Sequence, residues 1–213
     1  DSIMMSKELL SHSLLSSYRD FLGSPSQNGE LKKELMHLAT NPEMFLPDEI
    51  AVHLESFSFM EELSKRNKLL CHIDGSVTIT YPEGNKKITG AGAGYTICSE
   101  EETLKKKRLS LPVGYKDEEM TSHIAEYLAL LACLKELSLT AVSPEKLDIE
   151  IRTDSEVLYK QMSLFSRTRN LRHQELKNEA FEYIHLFHSV TFFKIPRDKN
   201  GIADSLAREA YKE

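Results

Sequence analysis

Residues 68–76, KLLCHIDGS, place a carboxylate directly after an apolar run. The run predicts a buried strand, and Asp74 stands at its end. Asp-Gly is also a common turn dipeptide, so a simple turn explains the pair as well as a functional site does. The rest of the chain has to decide between these two interpretations.

From residue 68 onward the chain alternates between strand and helix patterns. Three strands separated by short turns come first, as is typical of an antiparallel meander. The later order, with a strand–helix crossover, predicts an α/β fold: a mixed five-stranded sheet flanked by helices. The predicted strands are KLLCHID, GAGAGYTICSE, KRLSLPVGY, KLDIEIRTDS and VTFFKIP, and the predicted helices are 119–138, SEVLYKQM, 173–188 and IADSLAREAY.

The first part of the chain, residues 1–67, shows helical periodicity only and no recognisable chemistry. We therefore predict a small all-α N-terminal region of unknown role, followed by a second domain at 68–213. Amphipathic helices must cover their apolar stripes with something. We expect this region to pack on itself, on the following domain, or on a partner chain or second copy.

The bulk composition excludes several classes of protein. No apolar run approaches the roughly 20 residues that cross a bilayer, and the start of the chain does not resemble a secretory signal. Three cysteines without metal spacing are expected to be small buried side chains in a reducing compartment, which favours a cytoplasmic protein without membrane association. The net charge of −6 argues against a generic nucleic-acid coat protein.

Four acidic residues stand out by their positions in this pattern. Asp74 ends the first strand, Asp154 ends the fourth, Glu126 lies in the long helix and Asp204 in the first turn of the last helix. Each has an ordinary explanation as a turn, helix-surface, N-cap or first-turn residue. Together they are harder to dismiss, because strand ends and helix starts meet at one edge of an open α/β sheet.

Converging carboxylates repel one another, by roughly 4 kcal/mol for two charges 4 Å apart at an effective dielectric near 20. A divalent cation removes that cost. Oxygen ligands without His or Cys suit Mg²⁺ or Mn²⁺ rather than Zn²⁺. The chemistry implied is phosphodiester hydrolysis by two metal ions, one activating water and one stabilising the leaving oxygen.

Five ordered motifs over about residues 68–212 resemble the type-1 ribonuclease H family, and within it the shorter, reverse-transcriptase-like branch. The resemblance implies a ribonuclease H-like sheet and metal ligands at Asp74, Glu126, Asp154 and Asp204. It also implies, as substrate, the RNA strand of an RNA/DNA hybrid, cut to leave a 3′-hydroxyl and a 5′-phosphate. The motifs are HIDGS, GAGAGYTI, AEYLALLACL, RTDSEVLYKQM and IPRDKNGIADSLA.

The resemblance also suggests further site residues and shows departures from the family pattern. The loop before Asp204 carries Arg197 where better-known members have a catalytic histidine, so Arg197 is expected to assist product release or contact phosphate. His123 replaces an asparagine that contacts the hybrid. The expected substrate-binding residues are Gly75, Ser76, His123, Ser155 and Asn200.

Three further positions have specific interpretations. His72 shares a strand face with Asp74, but a packed strand histidine is favoured over a site residue. Gly92 and Gly94 do not open a helix, so a dinucleotide-binding loop is excluded. We expect them to let a nucleic-acid backbone approach the second strand. Asn200 is expected to cap the last helix so that Asp204 faces the metals.

Two other functions are considered beside the nuclease. The domain could be a weakly active or inactive nucleic-acid-binding relative that uses residues 1–67 for docking, since the histidine loop is missing and the basic surface is sparse. An exonuclease of the same superfold is disfavoured, because such enzymes commonly carry Asp-x-Glu in the first strand and this chain has Asp74-Gly75-Ser76.

Overall fold

The computed structural model describes residues 59–100, 102–115, 118–164 and 166–212. The segments Arg66–Ser138 and Ser143–Glu213 form one compact unit that contains the whole sheet. Residues 59–64 are helical. The other helices predicted for the N-terminal region lie outside the described residues.

A mixed five-stranded sheet organises this unit, with spatial order β3-β2-β1-β6-β7. The first three strands are antiparallel, and β6 and β7 continue the sheet in parallel with β1. This is the fold class that the sequence predicts. The strands are β1 (Lys68–Thr80), β2 (Lys87–Cys98), β3 (Thr103–Leu111), β6 (Asp148–Thr153) and β7 (Ser189–Lys194), with the short pair β4 (Gly114–Tyr115) and β5 (Glu118–Glu119) apart from the sheet.

Four helices connect and cover the strands. Among the described residues, no helix is both long and apolar enough to span a membrane. The helices are α1 (Ser122–Thr140), α2 (Glu156–Ser163), α3 (Leu171–Ile184) and α4 (Gly201–Glu209), with single 3₁₀ turns at Pro82–Gly84, Pro144–Lys146 and Arg197–Lys199.

Capping side chains explain where two helices begin. The Thr121 hydroxyl accepts a hydrogen bond from the backbone N–H of Ile124 at 3.2 Å, so α1 begins at residue 122 rather than at the predicted 119. The Asn170 side chain accepts from the N–H of His173 at 3.0 Å, so α3 begins two residues earlier than predicted. Local hydrogen bonds therefore set these boundaries more sharply than the apolar periodicity does.

The core lies between the sheet and α1. Leu69, Cys71 and Ile73 alternate along β1 and are fully buried on one face. Helix α1 is buried around most of its circumference, which is why its apolar residues are nearly continuous instead of forming a narrow stripe. The shared burial of β1 and α1 holds both elements in fixed positions.

The predicted boundaries of the first and third strands are wrong. β1 does not end at Asp74 but continues to Thr80, because β2 pairs with it from Leu70 to Thr80 and places Gly94 opposite Asp74. Asp74 lies instead beyond the end of the parallel pairing with β6. The third strand spans Thr103–Leu111 rather than residues 107–115, because it pairs with β2 from Cys98 back to Ala91.

The glycines of β2 serve helix packing, which corrects the role expected for Gly92 and Gly94. A Cβ at Gly94 would collide with the backbone of Ala203 and Ala207 in α4, and one at Gly92 would collide with the Ala207 carbonyl. The absence of side chains thus lets α4 lie directly on the sheet, and it is this helix that approaches the strand closely, where a nucleic-acid backbone was expected.

Gly94→Ala is expected to destabilise the protein by about 1–3 kcal/mol, since the added methyl group meets backbone atoms that cannot rotate away. Chemical denaturation of both proteins, monitored by circular dichroism, measures the difference. Gly201→Ala is the matched control, because a Cβ there meets nothing within 4 Å, and its stability should be unchanged or slightly higher. Equal stability of the two variants would show that α4 is not seated through Gly94.

Candidate active site

An open cleft of about 470 Å³ lies beside β1, just beyond the carboxyl end of β6. All four predicted carboxylates line it: Asp74, Glu126, Asp154 and Asp204. They come from β1, from α1, from the residue after β6 and from the first turn of α4. The fold therefore brings together residues that are 130 positions apart in the chain.

Parallel pairing of β1 with β6 places the first two carboxylates side by side. The last pair of this ladder is His72 with Arg152. Asp74 lies two residues beyond it on one strand and Asp154 two residues beyond it on the other. Both carboxylates therefore lie just beyond the end of the ladder, and both line the cleft.

Glu126 joins them through a close contact between β1 and α1. A Cβ at Gly75 would overlap the backbone of Ala125 and Glu126, so only a glycine permits this approach. Gly75 also lines the cleft, next to Ser76. One side-chain-free residue thus brings the glutamate of α1 to the aspartate of β1.

Asn200 ties three elements together beneath the site. Its side chain is 1% exposed, and its Nδ2 donates to the Ile73 carbonyl at 2.9 Å and to Asp154 Oδ1 at 2.6 Å. It occupies the N-cap position of α4, but its side chain makes no capping hydrogen bond, so the expected capping role is wrong. Its amide fixes Asp154 in place instead.

Burial makes the charged forms of two of these acids costly. Desolvation, followed by the charges of Asp154 and Asp204, raises the pKa of Asp74 to about 7, against a smaller opposing effect of the Gly75 backbone N–H. Desolvation raises the pKa of Glu126 to about 7 as well, against an opposing hydrogen bond from the Ser155 side chain and with a smaller contribution from the charge of Asp154. The Oε2 atom of Glu126 is buried and has no hydrogen-bond partner among the described residues.

Asp204 is held differently, by two arginines. Its Oδ1 lies 3.1 Å from Arg197 Nη2 and 2.9 Å from Arg208 Nη2. The carboxylate raises the pKa of Arg197, whose side chain is 70% exposed. Asp204 is therefore ion-paired with two cations of the protein itself. Arg197 also interacts electrostatically with Asp74, without a direct ion pair among the described residues.

The donor set has the chemistry of a hard-metal site. All four candidate ligands are carboxylates, as Mg²⁺ and Mn²⁺ prefer, and the unpartnered oxygen of Glu126 is free to accept a cation. Within the described part of the chain, however, no three His, Cys, Asp or Glu side chains lie close enough together to hold one ion. The residues thus fit a hard divalent cation by the type of their donor atoms.

The remaining predicted residues have mixed positions. Arg197 and Ser76 line the cleft. The Ser155 hydroxyl accepts from the N–H of Leu158 at 3.3 Å and caps α2 beside the site. His123 is exposed in the first turn of α1, with its ring 5.7 Å from that of His173, and is not among the residues that line the cleft.

His72 packs within the strand, as favoured. It is half-buried, with Nδ1 3.4 Å from the Thr96 hydroxyl. Burial and the nearby Arg152 lower its pKa. It contributes no side chain to the cleft.

Sequence reasoning missed several cleft residues. Arg208 lies four residues after Asp204, so helical spacing alone places it on the same side of α4, and this signal was available. Thr78 was missed because β1 was expected to end earlier. Tyr211 and Lys212 follow α4 and reach the cleft only through its packing on β2, which local sequence does not reveal.

The five-stranded order, the four carboxylates and the open cleft together define a ribonuclease H-like protein. A family model described as reverse transcriptase-like matches residues 82–210, more than half of the chain. This range contains Glu126, Asp154 and Asp204 but begins after Asp74. The chain thus belongs to the reverse transcriptase-like family, a branch of the type-1 ribonuclease H-like proteins.

Solved structures give the same assignment. RNase H1 from the halophilic archaeon Halobacterium salinarum NRC-1 matches with a TM-score of 0.54 and 25% identity, over 67% of this chain and 96% of that chain. LC11-RNase H1, isolated from compost by a metagenomic approach, matches with a TM-score of 0.53 and 29% identity, over 68% and 96%. The structure of LC11-RNase H1 in complex with RNA/DNA hybrid matches with a TM-score of 0.54 and 27% identity, over 67% of this chain and 95% of that chain. A search of curated proteins finds no match.

The raised pKa of Asp74 predicts how stability depends on pH in the metal-free protein. Between about pH 4 and 7 the folded protein keeps a proton that the unfolded chain loses, so the free energy of unfolding falls as the pH rises through this range. Asp74→Asn has no group that titrates at this position, so its free energy of unfolding should not show this fall. The variant should gain up to about 4 kcal/mol over wild type at pH 8 and little at pH 4.

Urea denaturation at pH 4, 6 and 8 in the presence of EDTA measures this difference. Glu145→Gln, an exposed change in the 3₁₀ turn before β6, is the control and should show a small, pH-independent effect. A wild type at least as stable as Asp74→Asn at pH 8 would contradict the repulsion inferred for the cleft.

Proposed function

We propose that this protein is a metal-dependent endoribonuclease that hydrolyses the RNA strand of RNA/DNA hybrids. The single observation that carries the proposal is the meeting of four carboxylates from four separate elements in one open cleft. Family membership and the similarity to LC11-RNase H1, whose structure is known in complex with RNA/DNA hybrid, support it.

Divalent cations, Mg²⁺ or Mn²⁺ and two per site with substrate, would be held by Asp74, Glu126, Asp154 and Asp204, where they would activate water and stabilise the leaving oxygen. The chain's own residues prepare this site. Asp74 and Glu126 repel other negative charges, so they favour occupancy by a cation. Asn200 keeps Asp154 from turning away.

Arg197 is suited to contact the phosphate of the substrate or product. Its guanidinium is largely exposed at the mouth of the cleft and is anchored at one point by Asp204. An arginine binds phosphate oxygens through two parallel N–H donors, and it keeps its charge throughout the physiological pH range. It therefore provides a fixed positive charge where the family's histidine loop is missing.

The assay that tests this function combines three substrate classes with each metal. Labelled RNA/DNA hybrid, duplex RNA and single-stranded RNA are incubated with Mg²⁺, with Mn²⁺ or with EDTA. Wild type should cut only the RNA strand of the hybrid and only with a metal. Asp74→Asn should lose roughly a thousandfold or more in rate, because the loss of metal-borne charge stabilisation is worth several kcal/mol.

Glu145→Gln, distant from the cleft, serves as the control and should cleave like wild type. If wild-type protein leaves hybrid intact with both metals, the nuclease proposal is wrong. Cleavage that persists in Asp74→Asn would place the reacting groups elsewhere in the molecule.

A second function, hybrid binding without turnover, is favoured by one observation. Asp204 is paired with two arginines, which compete with a metal ion for its carboxylate. A weakly active or inactive relative would bind hybrid equally well with EDTA and with Mg²⁺. Thermal unfolding separates the two functions independently of turnover, since a metal-binding site raises the melting temperature with Mg²⁺ or Mn²⁺ in wild type but less in Asp74→Asn.

A further inference from the structure

The cleft has a second wall that the proposed chemistry does not use. It is formed by Ser76 and Thr78 of β1 and by Tyr211 and Lys212, which follow α4. None of the four carries a negative charge. Ser76 and Thr78 lie roughly 7 and 13 Å along β1 from Asp74, at about 3.3 Å per residue. This wall therefore extends away from the carboxylates toward the β1–β2 turn.

Tyr211 is seated against β2 in a way that depends on two glycines. A Cβ at Gly90 or Gly92 would collide with its ring, so the ring lies directly against the strand backbone. From there its hydroxyl lies 2.7 Å from Thr78 Oγ1 and 3.1 Å from Ser76 Oγ, within hydrogen-bond distance of both. The packing of the ring against β2 and the two hydrogen-bond contacts with Ser76 and Thr78 thus fix the position of the Tyr211 hydroxyl.

The three hydroxyl groups leave a donor available to a ligand. Each hydroxyl has one proton and two acceptor lone pairs. The two contacts within the cluster use two of the three protons, so one proton remains to point at an acceptor in the cleft. Lys212 is exposed next to the cluster and adds three N–H donors and a positive charge. The group is complementary to an anion rich in acceptors, which is the chemistry of a phosphate.

We infer that Ser76, Thr78, Tyr211 and Lys212 bind a backbone phosphate of the nucleic acid other than the one at the bond that is cut. The inference rests on the proposed function insofar as it takes a nucleic-acid strand to lie in the cleft. Tyr211 and Lys212 act here as substrate-binding residues and take no part in the chemistry.

Binding without metal tests the site separately from catalysis. Fluorescence anisotropy with a labelled RNA/DNA hybrid in EDTA, at several salt concentrations, compares wild type with Tyr211→Phe and Lys212→Gln. Lys212→Gln should weaken binding several-fold and reduce the slope of log affinity against log salt by about one, since one phosphate contact is lost. Tyr211→Phe keeps the ring on β2 and should weaken binding with little change in slope.

Lys146→Gln is the matched control, an exposed lysine in the 3₁₀ turn that precedes β6, at the opposite end of that strand from Asp154. It should bind hybrid like wild type, with the same salt slope. Melting temperatures of all variants are measured alongside. A Tyr211→Phe variant that loses stability but keeps its affinity would mean that the cluster is only structural and would overturn the inference.

A scan with neutral methylphosphonate linkages identifies which phosphate is bound. One linkage at a time is neutralised along the RNA strand and then along the DNA strand, and each hybrid is bound to wild type and to Lys212→Gln. One position should weaken binding to wild type but not to the variant, because the partner of that phosphate is already missing. If no position in either strand shows this coupling, the proposed phosphate site does not exist.

Cleavage kinetics separate this inference from the proposed function. With hydrolysis present, Tyr211→Phe and Lys212→Gln should raise KM several-fold at nearly unchanged kcat, as expected when binding is lost equally from ground and transition states. Hydrolysis with unaltered KM and affinity in both variants would refute the phosphate site and leave the nuclease intact. Binding that depends on Lys212 without any hydrolysis would support the site and refute the nuclease.

Discussion

The burial of acids just beyond the end of the β1–β6 ladder, together with the repulsion among them, is the constraint that the rest of the cleft must accommodate. The register of the ladder places Asp74 and Asp154 at equivalent positions beyond its last pair. The close contact of α1 with β1 at Gly75 brings Glu126 to the same cleft. Desolvated carboxylates that line one cleft cannot all be ionised at low cost, and the pKa values of Asp74 and Glu126, raised mainly by desolvation and less by neighbouring acids, express that cost. The fold withstands the repulsion because hydrophobic burial of β1 and α1 fixes both backbones. Stability and function are opposed here, as is common where acids are gathered for a cation.

Glycines in the strands, where any side chain would collide with a helix, decide where α1 and α4 meet the sheet. Gly75 lets α1 approach β1 closely, and Gly92 and Gly94 let α4 lie directly against β2. Asn200 then links the start of α4 to β1 and to Asp154 through one buried amide. A larger residue at any of these positions would shift a whole helix, and with it a carboxylate. The positions of the acids are therefore set by neighbouring small or amide residues as much as by the acids' own elements.

Much of this architecture could be predicted from the sequence, and the failures have physical causes. The succession of strands and helices, the mixed sheet and the four candidate carboxylates follow from patterns in the sequence, because alternation, helix periodicity and turn residues are local properties. The end of β1 could not be located, since its pairing with β2 extends it beyond the apolar run. The role of Gly92 and Gly94 was wrong because a strand glycine signals a close approach without naming what approaches. Asn200 occupies a cap position, but its side chain is diverted by partners 46 and 127 residues away.

The two halves of the cleft differ in charge, and this difference suggests what occupies them. On one side, Asp74 and Glu126 have raised pKa values and, among the described residues, no direct ion pair with a cation. On the other side, near the end of α4, arginine, lysine and hydroxyl groups line the cleft, and Asp204 is paired with two arginines. The ligand proposed above, a phosphodiester backbone with divalent counterions, would complement both sides, since its phosphates would match the cationic groups and its metal ions the acids. Neither a free anion nor a free cation would satisfy the whole cleft. The charge pattern thus favours a ligand that brings both signs together, and a nucleic-acid strand with bound metal is such a ligand.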